Sequence, residues 1–155
     1  MTSFNISHAI VALSNLAYVF LAYWLAKKEF IYISWILVIV ALVSTYYHLN
    51  PNSEKLLYLD VATALLSCLI CFLHFLPYVK PSPLFVFTIS LAVTATILWW
   101  ESGDDRECSK YVIYHSAWHV LTAVCLFLLI KSTDFKTGKD KLDYPILSGG
   151  IKYTA

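Results

Sequence analysis

Five apolar stretches constrain this chain more than anything else in it, each long enough to cross a bilayer: residues 8–26, 30–49, 56–79, 84–100 and 111–130. A hydrocarbon core about 30 Å thick takes about 20 consecutive apolar residues in helical form. The expected fold is therefore all-α, a polytopic transmembrane helical bundle of about five spans within residues 1–131. A polar C-terminal tail follows at 132–155. Composition agrees: 59% of the 155 residues are hydrophobic and 14% charged, against roughly 45–50% and about 25% in soluble domains. So few charges do not clothe a water-facing surface. The net charge of +1 argues against a nucleic-acid partner, which calls for a basic face. Four cysteines in so apolar a chain do not make a disulfide scaffold of the small secreted type.

The breaks between the spans carry turn-forming and charged residues: Lys27-Lys28-Glu29, Asn50 to Ser53, Lys80-Pro81-Ser82-Pro83, and Ser102 to Arg106. Ser53 is placed to cap the third helix, and Pro77 to kink or end it early. No basic residue precedes His8 and no small-residue cleavage site follows the first apolar run, so this segment reads as a retained span rather than a signal peptide. Lys27, Lys28, Lys80, Lys131, Lys136, Lys139, Lys141 and Lys152 fall on one side of the membrane. Only Lys55, Arg106 and Lys110 fall on the other. Positive charge is retained in the cytosol, so the expectation is an N-terminus outside or lumenal and a C-terminus in the cytosol. Tyr46-Tyr47 and Trp99-Trp100 fit an interfacial aromatic belt on the outer side, and a plain lipid-facing role fits them equally.

Within the five stretches only Asp60 is formally charged. An ionisable side chain in hydrocarbon costs roughly 2.5–3.5 kcal/mol on insertion scales and marks a functional candidate. Asp60 lies about 6 Å into its span at 1.5 Å per residue, so snorkelling to the interface is the alternative. Other polar residues share its level. The second span ends with Ser44 and His48 four apart, and the fifth begins with His115 and His119, again four apart. Residues at i and i+4 share a helix face, a spacing by which two imidazoles bind one metal ion. Because the spans alternate in direction, Ser44, His48, Asp60, His115 and His119 all fall within about 12 Å of one membrane face. Three neutral imidazoles around Zn²⁺ leave a fourth position for water, the open arrangement of catalytic zinc, and the ion lowers the pKa of that water toward ~7. Asp60 is then placed to accept a proton and pass it on. Ser44 is placed to orient Asp60 or to hydrogen-bond a developing oxyanion. The alternative for each histidine is a hydrogen bond to a neighbouring helix.

At these residues the chain resembles the CREST superfamily of membrane hydrolases and receptors, which includes alkaline ceramidases, progestin/adipoQ receptors and post-GPI-attachment lipid-remodelling proteins. The shared pattern is Ser-x3-His near the end of one helix, Asp early in the next, and His-x3-His near the start of a late helix. Here these are Ser44 and His48, Asp60, and His115 and His119. The string from His115 to Val120 looks most like the myomaker branch. The resemblance implies His48, His115 and His119 as zinc ligands, Asp60 holding water with Ser44 beside it, and hydrolysis of an amide or ester bond in a lipid that arrives from the bilayer. CREST proteins usually have seven spans, with three between the Asp helix and the His-pair helix, where this chain has one. A loss of an even number preserves sidedness. A reading of another class is an accessory subunit of a larger membrane complex that retains the metal site and meets protein partners through the tail. A receptor role is a third.

The remaining polar residues read more simply. His74 lies ~21 Å from Asp60 along its helix and belongs to the opposite interface, bonded to a helix or a headgroup. His8 and Asn15 repeat a seven-residue spacing on the first span, where they are placed to line the cavity beside the metal. Cys68 and Cys71 read as small packing residues, and Cys108 and Cys125 carry no signal. Thr88, Ser90, Thr94 and Thr96 read as small residues that let the fourth span pack closely.

Overall fold

In a computed structural model, residues 6–50, 52–103 and 109–133 are described. The polar tail beyond 133, through which the accessory-subunit reading has the chain meet its partners, lies outside them, as does Cys108. The described residues form a helical bundle: α1 (Ile6–Ser14), α2 (Leu16–Lys27), α3 (Ile31–Leu49), α4 (Glu54–Phe75), a 3-10 turn (Leu76–Tyr78), α5 (Pro83–Ser102) and α6 (Ser109–Lys131). With α1 and α2 counted as one span, five are long and apolar enough to cross a membrane. Each overlaps the stretch expected from the sequence and differs from it by a few residues at its ends.

Local chemistry sets these boundaries. The Ser53 hydroxyl accepts the Leu56 N–H at 3.4 Å and opens α4, as its position in the sequence suggests. Ser82 does the same for α5, accepting the Phe85 N–H at 3.2 Å with Pro83 at the first helical position. Pro77 lies in the 3-10 turn where α4 ends. α3 closes on Asn50, whose side-chain amide donates to the Tyr46 carbonyl at 3.0 Å.

The first span departs from expectation. It is not one continuous helix but breaks at Asn15, with neither Gly nor Pro to mark the place. The Asn15 N–H bonds the Ala12 carbonyl at 3.2 Å, three residues back instead of four, a local 3-10 tightening.

The apolar core gathers Leu25, Phe30, Ile33, Leu37, Phe75 and Ile130, toward the end that bears Lys27, Lys80 and Lys131. That end is stitched by the Lys80 N–H on the Ser132 carbonyl at 3.0 Å and by an isolated bridge between Val79 and Thr133. Outward faces stay apolar, with Phe20, Trp35, Leu42, Val86 and Trp100 exposed, as suits a protein whose solvent is lipid. α5 packs along α6, and α4 lies mainly on α3. α4 and α5 scarcely touch each other; between them lies a cavity of about 420 Å³, bounded also by α3 and α6.

The hydroxyls of α5 correct a second expectation. Only Thr88 is buried, whereas Ser90, Thr94 and Thr96 are exposed, Thr96 toward the cavity. All four donate to the carbonyl four residues back, at 2.8–3.1 Å. A hydroxyl satisfied by its own helix needs no neighbour to survive in lipid, so these residues do not report close packing.

Candidate metal centre

Three helix segments build the site. α3 carries His48 in its last turn, one turn beyond Ser44. α6 carries His115 and His119 on one face near its start. The break in the first span leaves α1 against both α3 and α6. His48 and His119 are each 1% exposed and His115 8%. Their ring centroids form a near-equilateral triangle: 5.0 Å from His48 to His115, 5.4 Å from His48 to His119, and 4.9 Å from His115 to His119. One nitrogen from each ring lies within 4.8 Å of the others.

The donor set fits a divalent ion of zinc's type. Imidazole nitrogen is a borderline-soft ligand that suits zinc. The His119 Nε2 atom is buried and has no hydrogen-bond partner among the described residues. A buried polar atom left without a partner calls for an explanation, and an ion shared with the other two rings supplies one.

Asp60 and Ser44 stand on α4 and α3. Asp60 occupies the second turn of α4 and is 8% exposed. The Ser44 hydroxyl on α3 lies close to its carboxyl group, one turn from His48. The group of mutually close ligand atoms holds the three imidazoles and not the Asp60 carboxylate.

An aromatic shell surrounds the imidazoles. Tyr111 stacks on His115 at 4.8 Å, and Trp118 lies within 5.1 Å of both His115 and His119 by ring centroid. Tyr47 packs on His48 at 5.0 Å. It is buried while Tyr46 is exposed, so only Tyr46 of that pair faces lipid. Tyr18 on α2 contacts His119 at 6.1 Å, and its hydroxyl bonds Thr122 on α6. Tyr18 and Trp118 also line the cavity between α4 and α5, so the cavity adjoins the triangle.

No family model, curated protein or solved structure matches this chain.

None of the other described histidines or cysteines belongs to the group of mutually close ligand atoms. His74 stands near the far end of α4, where the Tyr32 hydroxyl of α3 bonds its ring. Cys68, Cys71 and Cys125 are free thiols on the cavity wall. Asn15 is 1% exposed, and its side-chain amide makes no hydrogen bond among the described residues. One contributor has no counterpart in the sequence reading: the Ser14 hydroxyl lies 2.7 Å from His119 Nδ1. A serine in an apolar span reads as a packing residue, and only the helix break at the next position hints at more.

Proposed function

We propose that this chain is a zinc-dependent integral-membrane hydrolase that cleaves an amide or ester bond in a lipid, in the manner of the CREST proteins it resembles. The observation that carries this reading is the convergence of three buried imidazoles from α3 and α6 at the level of the only formal charge deep within the spans, Asp60. His48, His115 and His119 would hold the ion. A zinc ion in such a site supplies Lewis acidity and makes water a usable nucleophile near neutral pH. The Asp60 carboxylate accepts the proton released as water attacks the lipid carbonyl, then delivers it to the departing amine or alcohol. The Ser44 hydroxyl holds that carboxylate in place. The cavity of about 420 Å³ falls within the roughly 300–1,000 Å³ range of small-molecule sites. Its apolar wall, including Leu37, Val40, Ile89 and Leu126, suits an acyl chain, and the seam between α4 and α5 gives that chain a route from the bilayer. By the distribution of lysines the site faces the outer or lumenal side and the C-terminus the cytosol.

Elemental analysis of purified protein tests the first half: one zinc per chain is expected, and metal-free protein that takes up none on addition overturns the reading. Release of free fatty acid from ceramide or from a phospholipid ester tests the second half. The sparse contact between α4 and α5 favours one rival, an accessory subunit whose open face a partner covers. Zinc-loaded protein that hydrolyses neither lipid class and purifies in a stable complex decides for that rival. Ala92 lines the cavity, so Ala92→Trp is expected to lower kcat/KM for the lipid by about 10-fold or more and to leave the zinc content at one per chain.

A further inference from the structure

We infer that Ser14 is a positioning residue that holds His119 as its Nδ1–H tautomer and leaves Nε2 for the ion, a role that rests on the metal-site reading above. The argument starts at the break between α1 and α2. In a regular helix the Val11 carbonyl would accept the Asn15 N–H, but that N–H goes to Ala12 instead. The Val11 carbonyl accepts the Ser14 hydroxyl, 2.6 Å away, and also lies near the His119 ring. A carbonyl only accepts, so the single hydroxyl hydrogen of Ser14 points at Val11. What Ser14 offers His119 Nδ1, at 2.7 Å, is therefore an oxygen lone pair, and Nδ1 must supply the hydrogen. A neutral imidazole carries one N–H, so Nε2 is a bare lone pair. That is the same nitrogen that is buried with no hydrogen-bond partner among the described residues. A ligating histidine whose second nitrogen donates to a fixed acceptor has its tautomer and ring orientation set, and removing the acceptor typically weakens metal binding 10–100-fold.

The helix break is thus part of the site. It frees one carbonyl, the carbonyl orients one hydroxyl, and the hydroxyl orients one imidazole. Ser14 reaches His119 from the opposite end of the sequence, so α1 is coupled to the centre without contributing a ligand.

The test uses full-length protein in micelles with ¹⁵N-labelled histidine, whose imidazole nitrogen shifts distinguish protonated from bare nitrogen. His119 is assigned by the loss of its signals in His119→Gln. The metal-free protein is expected to show His119 with Nδ1 protonated and Nε2 bare. Ser14→Ala is expected to mix the tautomers and weaken zinc binding about 10–100-fold, and Ser14→Thr, which keeps the hydroxyl, to restore both. A protonated Nε2 on His119 in the wild type overturns the inference, as does folded Ser14→Ala that binds zinc with wild-type affinity. The tautomer is read without metal, so the two readings fail separately. If the wild type binds no zinc yet loses its Nδ1–H tautomer in Ser14→Ala, the metal reading falls and the positioning role of Ser14 stands.

Discussion

Zinc affinity in His119→Ala is expected to fall at least 100-fold below wild type, and lipid hydrolysis to disappear with it. Loss of an acceptor behind a ligand already weakens binding by roughly 10–100-fold, and loss of one ligand of three goes further. His119 is 1% exposed and packs against Tyr18, Trp118, His48 and His115, so alanine also leaves a void. A metal titration is therefore paired with a thermal one. In the wild type, zinc at 1,000 times its Kd stabilises the fold by about 4 kcal/mol through mass action, and in His119→Ala the same concentration shifts Tm little. His74→Ala provides the comparison, because it removes a histidine at the far end of the same bundle and is expected to bind zinc as the wild type does. Equal zinc stabilisation of wild type and His119→Ala would exclude this imidazole from the centre.

Asp60→Asn separates binding from chemistry. The substitution is nearly isosteric and keeps an acceptor oxygen for the Ser44 hydroxyl, but an amide does not take up a proton. Zinc affinity is expected to stay within a few-fold of wild type, since the carboxylate is not among the mutually close ligand atoms. Fatty-acid release is expected to fall about 10²–10⁴-fold, the usual worth of a general base. Single-turnover rates and a chelator competition read the two quantities independently. Metal affinity lost together with turnover would make Asp60 a ligand, and turnover undiminished would remove it from the chemistry.

The spans and the histidine layer are legible in the sequence for the same reason. Lipid tolerates few polar groups, so both the long apolar runs and the exceptions to them stand out. The i, i+4 pairs Ser44/His48 and His115/His119, with the alternating direction of the spans, are enough to bring them to one level. Which helices become neighbours is not legible. Lipid and protein interiors are equally apolar, so Leu42, facing outward, and Leu37, in the core, carry the same signal. The contact between Ser14 and His119 is hidden for a related reason: a serine leaves no periodic mark, and the break beside it has neither Gly nor Pro. The α5 hydroxyls mislead in the opposite sense. Their sequence suggests a tight interface, while their hydrogen bonds return to their own backbone.

The seam between α4 and α5 has a consequence for how the bundle comes apart. α4 rests mainly on α3, so much of its flank is supported by whatever molecules surround the protein. Regions with few packed contacts open first. Amide hydrogen exchange is expected to reach the middle of α4 before the paired helices α5 and α6, and to do so sooner in short-chain detergent than in bilayers. Surrounding lipid then acts as a component of the fold, holding one wall of the cavity in place.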